Sequence, residues 1–305
     1  MESKYFQSGG LCCANLCCIL KSLGFERSMV IKMRKKGFDI IAYGFAFIWL
    51  IVTIFPLVIT FLCSFKNNEG INLSMFALPD IWHWENYAAA VERANILRAV
   101  FNSIFLAIMT TLLVEVIGMM AAYVLSRKNF RVLSVISILF LFGVMVPIHC
   151  TVIPINNLAT ALHSKNQYYF LLLVYTAFQL AQSIFLFTGY LQGISRDLDE
   201  AAIIDGANDV VLLFKILMPV SKPIMSTVAV LSFVYCYGEL MFSMTLLTKV
   251  EKFTVSRAML TFSGEELQLG PIFACIIIAV VPIIIFYLAF HEKVQDGMMQ
   301  GAIKG

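Results

Sequence analysis

Six stretches of the sequence are apolar over about 20 residues or more, and this feature constrains the fold more than any other. They are residues 38–65, 99–125, 133–155, 168–191, 224–248 and 271–290. Because a bilayer core about 30 Å thick is crossed by about 20 residues of helix, each stretch is long enough to span it. None alternates polar and apolar residues with the period of two that barrel strands need. The chain is therefore predicted to be an all-α, polytopic membrane protein with six transmembrane helices.

The composition agrees with this prediction and excludes other classes of protein. Hydrophobic residues make up 60% of the 305 residues and charged residues only 13%, against roughly 25% charged residues in a soluble domain. The net charge of +3 is spread over the loops, so there is no basic patch of the kind that binds nucleic acid. Membrane lipid is the expected surrounding, and no nucleic-acid partner is predicted.

The distribution of basic residues predicts the orientation of the chain. Segments 1–37, 126–132, 192–223 and 291–305 together carry 15 of the 22 Lys and Arg residues. Since basic residues collect in cytoplasmic loops, these four segments are expected on the cytoplasmic side. Both termini are therefore predicted to be cytoplasmic.

The N-terminal segment divides into two parts. Residues 1–37 are predicted to be a cytoplasmic extension, and residues 38–305 the transmembrane domain. Met29 or Met33 would begin a more ordinary membrane-protein start, so two interpretations of residues 1–28 stay open, a functional extension and a stretch that is no part of the functional chain. A short apolar core followed by basic residues rather than a cleavage site does not resemble a secretory signal peptide.

The eight cysteines do not suggest a disulfide framework. Four lie within or at the ends of apolar runs, where thiols pack as small hydrophobes: Cys63, Cys150, Cys236 and Cys275. Four others cluster near the N-terminus: Cys12, Cys13, Cys17 and Cys18. An apolar patch, reversible acylation and a thiolate metal site are all open interpretations of that cluster, and no metal site is predicted.

Polar side chains in the fourth and fifth predicted spans are spaced to share a helix face. Gln179, Gln182 and Ser183 are three and four positions apart, and a second set recurs at near-helical multiples: Ser232, Tyr235, Glu239 and Ser243. In lipid such a stripe must face protein or water. Two interpretations stay open, hydrogen bonding between helices and the lining of a path for a polar solute. The candidate translocation path comprises Gln179, Gln182, Ser232, Tyr235 and Glu239.

Two carboxyl groups fall within the predicted spans. Glu239 is costly to bury and therefore a functional candidate; it is expected either deep in the bundle or beside a break at Tyr237-Gly238. Glu115 is expected to have a structural role, pairing with a neighbouring helix of this chain or of a partner chain.

The segment between the fourth and fifth spans, residues 192–223, contains DEAAIIDGANDVVLLFKILMP at residues 199–219. Acidic residues before Glu200 suit the first turn of a helix, and Gly206 permits a sharp turn or a close approach. Asn208 and Asp209 are able to cap a second helix, whose end is expected at Pro219. The segment is therefore predicted to form two short helices with a bend between them, a surface for a partner protein.

This segment resembles the EAA motif of ABC importer permeases. The match consists of Glu200, Ala201, Ala202, Gly206, Ile216 and Pro219 at the motif's spacing, with Asp205 and Ala207 extending it toward the sugar-importer, MalG-like branch. The C-terminal Gly297 and Gly301-Ala302-Ile303-Lys304-Gly305 are similar to the family's ending. Met218 replaces the motif's leucine, and Tyr237-Gly238-Glu239-Leu240 replaces Trp-Asn-Glu-Phe of many relatives.

The resemblance, which covers about residues 38–305, implies a MetI-like permease fold and a role as half of a sugar or oligosaccharide importer in a bacterial cell membrane. In that family the loop corresponding to 192–223 docks on an ATPase subunit. The implied partners are a second permease, an ABC ATPase dimer and an extracytoplasmic solute-binding protein. ATP and Mg would be used by the ATPase subunits, and this chain itself would bind no cofactor.

Other functions have less support in the sequence. The chain has no GxxxxGK[ST] phosphate loop, and no HExxH or GxSxG motif of a hydrolase, so it is predicted to be a transport subunit rather than an enzyme. An ion-coupled carrier would show two related halves with broken helices, and no such repeat is visible. An ABC importer permease for a non-sugar solute, such as a polyamine, remains the main alternative.

Overall fold

The computed structural model describes the backbone of residues 27–128, 130–264 and 267–302, and the side chains from residue 42 to residue 289 within those ranges. Residues 1–26 of the predicted extension 1–37, which include its four cysteines, and residues 303–305 of the C-terminal ending lie outside the described residues. The chain divides into two units, residues 1–59 and 60–305. The boundary falls within the first helix, and each unit is described by itself.

The described residues are mostly helical, and we number the α-helices in chain order. The first seven are α1 (Arg27–Cys63), α2 (Asn68–Leu73), α3 (Glu85–Glu92), α4 (Ile96–Arg127), α5 (Arg131–Met145), α6 (Val152–Ala161) and α7 (Tyr168–Gln192). The others are α8 (Asp197–Ile204), α9 (Asp209–Val220), α10 (Lys222–Gly238), α11 (Met241–Leu246), α12 (Val255–Met259) and α13 (Leu269–Ala302). This arrangement confirms the all-α prediction.

Four of the described helices are long and apolar enough to cross a membrane without interruption. They are Ala42–Cys63 of α1, α4, α7 and Leu269–Ala289 of α13. Two bent pairs of helices, α5 with Ile148–Ala161 and α9 with α10, are each long and apolar enough for one further span when the two members are taken together, as a broken span or a re-entrant loop. Counting each bent pair once gives up to six spans, in agreement with the predicted number.

Interruptions of the helices correct the predicted course of the third and fifth spans. The third, predicted as one run over 133–155, turns by 92° after Met145, where Pro147 excludes the preceding residue from the helical region. The fifth, predicted over 224–248, ends at Gly238, and Ser243 therefore lies on α11 rather than on the helix that carries Ser232. The sequence shows the apolar length of these runs but only weakly shows their interruptions.

The buried side chains of residues 60–305 form two clusters. One lies near the 192–223 segment and joins α4, α7, α8, α9 and α10; it includes Met119, Phe187, Ala202, Leu217 and Val228. Helices α4 and α7 approach closely here, because a β-carbon at Gly118 would lie 3.2 Å from the Phe187 ring. This cluster fixes one side of α8 against the membrane-spanning helices.

The second cluster lies toward the other end of the bundle and contains larger aromatic residues. It includes Tyr175, Phe233, Tyr237, Phe242 and Phe262, with Cys236 and Cys275 among them. Cys63 is also buried, whereas Cys150 is exposed, which differs from the expectation that all four would pack as buried hydrophobes.

Candidate functional site

The 192–223 segment folds as two short helices joined by a sharp turn, as the sequence predicts. Helix α8 ends at Ile204, and the turn after it contains Gly206, whose φ of 84° lies in the left-handed region that favours glycine. The turn is closed by hydrogen bonds from Gly206 N to Ile203 O (3.0 Å) and from Ala207 N to Ala202 O (2.9 Å), the Schellman pattern of a helix C-terminus. Asn208 then caps α9 by accepting from Val211 N at 2.9 Å.

The residues of the EAA motif divide between a buried and an exposed side of this turn. Ala202 is buried in the cluster with α4 and α7. Glu200, Ala201, Asp205 and Gly206 are exposed, and a β-carbon at Gly206 would meet no atom within 4 Å. Ala207 and Ile216 are half-buried. The turn thus presents its acidic and small residues outward.

Apolar side chains accompany the exposed motif residues. Ile203, Ile204 and Val210 are all exposed, Ile204 to 86%. They surround the turn that Gly206 makes, next to Glu200 and Asp205. An exposed apolar surface edged by acidic residues is typical of a site for a protein partner.

The predicted end of the second helix at Pro219 is wrong. Helix α9 continues to Val220, and the chain bends at Ser221, where an 80° change of direction leads into α10. A π-helical stretch, Leu212–Leu217, precedes Pro219. Because a π turn shifts the hydrogen-bond pattern by one residue, it lets the helix pass a residue that has no N–H. Pro219 itself is exposed.

Arg127, at the last turn of α4, connects three elements at this end of the bundle. Its Nε lies 2.6 Å from Oδ2 of Asp199 on α8, and both side chains are almost fully buried. Its Nη1 donates to Leu191 O at 2.9 Å and its Nη2 to Ile194 O at 3.3 Å. A single guanidinium therefore contacts α8 and the carboxyl end of α7.

A second, more exposed contact joins α4 to the start of α9. Lys128 Nζ lies 2.9 Å from Oδ2 of Asp209, and the Tyr123 hydroxyl donates to Oδ1 at 2.7 Å. The hydrogen bond from Lys128, followed by the one from Tyr123, holds the pKa of Asp209 below its ordinary value. Asp209 thus pairs with α4 instead of capping α9.

No motif in the sequence marks Arg127, Lys128 or Tyr123 as site residues. In the sequence alone, the two basic residues indicate only orientation, and Asp199 and Asp209 only helix capping. The available indication is the presence of two basic residues at a helix end and two acidic residues in the 192–223 segment. Which of them meet depends on packing that the sequence alone does not give.

The candidate translocation residues do not all share one environment. Gln179 and Ser232 are buried, Tyr235 is half-buried and Gln182 is exposed at the surface of the chain. On α7 the buried polar face includes Thr176, Gln179 and Ser183, and the Ser183 hydroxyl donates to Gln179 O at 2.8 Å. Gln182 therefore lies outside that face despite its helical spacing.

Glu239 lies at the break after α10 that the sequence offered as one of its two locations. Its carboxylate accepts from Phe242 N (2.8 Å) and Ser243 N (3.2 Å) at the start of α11. The Tyr175 hydroxyl of α7 donates to it at 2.7 Å. These bonds give Glu239 a capping role, and they tie the break in the fifth span to α7.

Glu115 is buried in the middle of α4. Among the described residues, neither of its carboxylate oxygens has a hydrogen-bond partner. The expected pairing with another helix of this chain is therefore not found within that part of the molecule, and a pairing with a partner chain stays a prediction.

The comparisons with known proteins agree with this architecture. Residues 114–299 match the family model of the binding-protein-dependent transport system inner membrane component. The chain is 29% identical to the diacetylchitobiose uptake system permease protein of Streptomyces coelicolor over 88% of its own length and 90% of that protein. It is also 29% identical to a multiple sugar-binding transport system permease protein of Streptococcus mutans, over 83% and 93% of the two chains.

The fold is similar to that of solved importers. A chain of a bacterial ABC transporter for import of the acidic polysaccharide alginate superposes with a TM-score of 0.70 at 21% identity, covering 88% of this chain and 98% of the other. A methionine ABC transporter chain superposes with a TM-score of 0.52 at 15% identity, over 66% and 95%. The family match covers more than half of the sequence and includes the 192–223 segment. The protein therefore belongs to the family of binding-protein-dependent transport system inner membrane components, the permeases of ABC importers.

Proposed function

We propose that this protein is a permease subunit of an ATP-driven importer for a sugar or oligosaccharide. Its relatives in Streptomyces coelicolor and Streptococcus mutans are named for diacetylchitobiose and for multiple sugars, and a third, 27% identical, is a melibiose, raffinose and stachyose import permease of Bacillus subtilis. These names support a carbohydrate as the solute class. Buried or half-buried polar groups such as Gln179 and Tyr235 suit hydroxyl-rich solutes, which need hydrogen-bonding partners inside the membrane.

The observation that carries the coupling part of this proposal is the geometry of the 192–223 segment. An exposed turn is fixed on one side by Ala202 and Arg127 and presents Gly206, Glu200 and apolar residues on the other. A surface that is rigidly held yet open suits docking on an ATPase subunit. Closure of an ATPase dimer would then move α8 and α9 as a lever and open or close the path between the spanning helices.

The assembly implied by this function contains four kinds of subunit. This chain would form one half of the translocation path and a second permease the other half. An ABC ATPase dimer would hydrolyse ATP with Mg on the cytoplasmic side, and an extracytoplasmic binding protein would deliver the solute. In this arrangement the 192–223 segment and both termini face the cytoplasm.

Co-purification from the native membrane tests the proposal. The tagged chain, extracted in mild detergent, is expected to bring with it an ATPase subunit, a second permease and a solute-binding protein that mass spectrometry identifies. Vesicles containing the complex are expected to accumulate a labelled oligosaccharide only when ATP is supplied. Recovery of the chain without an ATPase would contradict the proposal, and ATP-driven uptake of a non-sugar solute instead would contradict its sugar part.

A further inference from the structure

We propose that Arg127 is the positioning residue through which movement of α8 reaches the membrane-spanning helices, with Gly206 as the hinge beyond it. The inference rests on the proposed function and adds the contact through which the docked segment would move the spanning helices. It assigns the transmission step to a defined ion pair, Arg127–Asp199, rather than to the 192–223 segment as a whole.

Burial distinguishes this ion pair from the other contacts of the segment. The side chains of Arg127 and Asp199 are 6% and 12% exposed, whereas those of Lys128 and Asp209 are 37% and 62% exposed. Removing one partner of a buried pair leaves an uncompensated charge and strongly weakens the structure around it. The attraction within an exposed ion pair is screened by water, so such a pair contributes little to stability. Helix α8 is thus held much more firmly than the start of α9.

The remaining N–H donors of Arg127 bind a third helix, α7, at its carboxyl end. Leu191 O and Ile194 O, which accept from Nη1 and Nη2, lie at the carboxyl end of α7. That end carries the negative pole of the helix dipole, which favours a cation. Because a guanidinium presents five donors in a rigid fork, it is able to join α4, α7 and α8 at once. A lysine at this position would reach only some of these three acceptors, the Asp199 carboxylate, Leu191 O and Ile194 O.

The position of the turn then defines which parts move together. Ala202 packs in the same buried cluster as Met119 and Phe187, so α8 is fixed to α4 and α7 by apolar contact as well as by charge. Beyond Ile204 the chain turns at Gly206, where the absence of a β-carbon allows the positive φ and leaves the backbone more conformational freedom than another residue would. Force applied to α8 is therefore delivered to α4 and α7, while α9 follows through the turn.

The test uses the complete importer in membrane vesicles and compares Asp199→Asn with Asp209→Asn. Both substitutions keep side-chain volume and remove one charge. Asp199→Asn is expected to lower ATP-driven uptake by at least about tenfold while ATP hydrolysis persists, because the buried pair is broken. Asp209→Asn is expected to lower uptake by less than about threefold. Arg131→Ala, at an exposed arginine four positions after Arg127, is expected to match the wild type.

A distance measurement on this chain separates the positioning role from the proposed coupling to an ATPase. Spin labels at Val124 on α4 and Ile203 on α8, both exposed, are introduced into a cysteine-free background. The distance distribution is expected to be narrow in the wild type and broader in Asp199→Asn. Its width in Arg127→Lys is expected to lie between the two. This readout does not depend on the ATPase, so it still decides the inference if no ATPase binds the chain.

Two results would overturn the inference. One is a distribution in Asp199→Asn as narrow as in the wild type, which would show that the ion pair does not hold α8. The other is undiminished uptake together with a broadened distribution, which would show that transmission does not pass through this contact.

Discussion

The two ends of the helix bundle hold their connecting segments by different chemistry. At the end that carries residues 192–223, charged side chains from α4 and the residue after it bind acidic residues of α8 and α9. At the opposite end, the amide side chains of Asn166 and Asn102 bind main-chain groups. Charged side chains contribute there as well, since Lys252 Nζ donates to Asn166 O and His83 pairs with Glu85. The contrast suggests that one end is built for a fixed shape and the other for contact with a partner that pulls on it.

Asn166 illustrates the neutral arrangement. Its Oδ1 accepts from Thr248 N (2.7 Å) and Lys249 N (3.0 Å), and its Nδ2 donates to the Thr248 hydroxyl at 2.8 Å. Asn102 similarly donates to Glu251 O and Phe253 O. Side chain to main chain bonds of this kind fix one loop conformation and are insensitive to charge or pH.

The turn of the 192–223 segment carries apolar side chains on its surface. Ile203, Ile204 and Val210 are left outside the chain's own packing. The segment is anchored on one side by the Arg127–Asp199 pair, by the contacts of Asp209 with Lys128 and Tyr123, and by a buried apolar cluster that includes Ala202 and Leu217. This asymmetry is what a docking surface needs, and the following predictions test it from the largest expected effect to the smallest.

The largest effect is expected at the end opposite the 192–223 segment, where Gly270 has no room for a β-carbon. In Gly270→Val, the new side chain would begin 2.6 Å from Asn86 Nδ2 and would also meet Lys66 O. Asn86 itself donates to Ser64 O and Lys66 O, so both bonds would be disturbed. The free energy of unfolding is expected to fall by about 3 kcal/mol, measured as a lower melting temperature in detergent. Gly264→Ala, where nothing lies within 4 Å of a β-carbon, is the control expected to melt as the wild type does.

A second substitution, at the turn of the 192–223 segment, should separate transport from stability. Gly206→Trp is expected to insert normally but to lower ATP-driven uptake by about a hundredfold, equivalent to ~2.7 kcal/mol, because the side chain projects into the docking surface. Gly206→Asn, which tolerates a positive φ, is expected to keep most of the uptake. Equal losses in the two variants would show that backbone strain, not the added bulk, is responsible.

A smaller loss of stability is expected at Asn166, at the same end of the bundle as Gly270. Asn166→Ala is expected to lower the free energy of unfolding by about 1–2 kcal/mol, because three hydrogen bonds are lost and alanine is strained at the φ of 60°. Asn166→Gly loses the same bonds without that strain and should be less destabilised. Thermal melting of the two variants measures the share of each cause.

The smallest effect is expected for the exposed pair, and it has a defined pH dependence. Because the pKa of Asp209 is lowered, the stability that its charge contributes is complete above the ordinary value of 3.8 and is lost only as the pH falls through the lower folded value. The melting difference between wild type and Asp209→Asn should therefore be constant from pH 8 to pH 5 and shrink below pH 4. A difference that varied between pH 8 and pH 5 would show that another group is responsible.

The parts of the fold that follow from local sequence were predictable. The length of the apolar runs is set by bilayer thickness, so the spans were found, and the turn at Gly206 follows from a glycine between two capping patterns. The break after Met145 had a proline to indicate it. For the break at Glu239 the only local indication in the sequence was Gly238. The capping hydrogen bonds that Glu239 accepts from Phe242 N and Ser243 N depend on the folded geometry.

The parts that depend on contact between distant residues were not predictable. Arg127 and Asp199 are separated by 72 positions, and nothing in either local sequence specifies the other. Similarly, Gln182 shares a helical spacing with Gln179 but faces outward, because the orientation of α7 is set by its packing on α4. Periodicity identifies a face of a helix, whereas the neighbours decide whether that face is buried.

The central claim is that the 192–223 segment contacts an ATPase, and cross-linking tests it most directly. A photoreactive amino acid is placed at Ile204, which is 86% exposed, and as a matched control at Leu73 of α2, which is 87% exposed at the other end. Irradiation of native membranes is expected to join position 204 to a subunit that contains a phosphate-binding loop and to leave position 73 without that product. An ATPase adduct at position 73 with none at position 204 would contradict the claim.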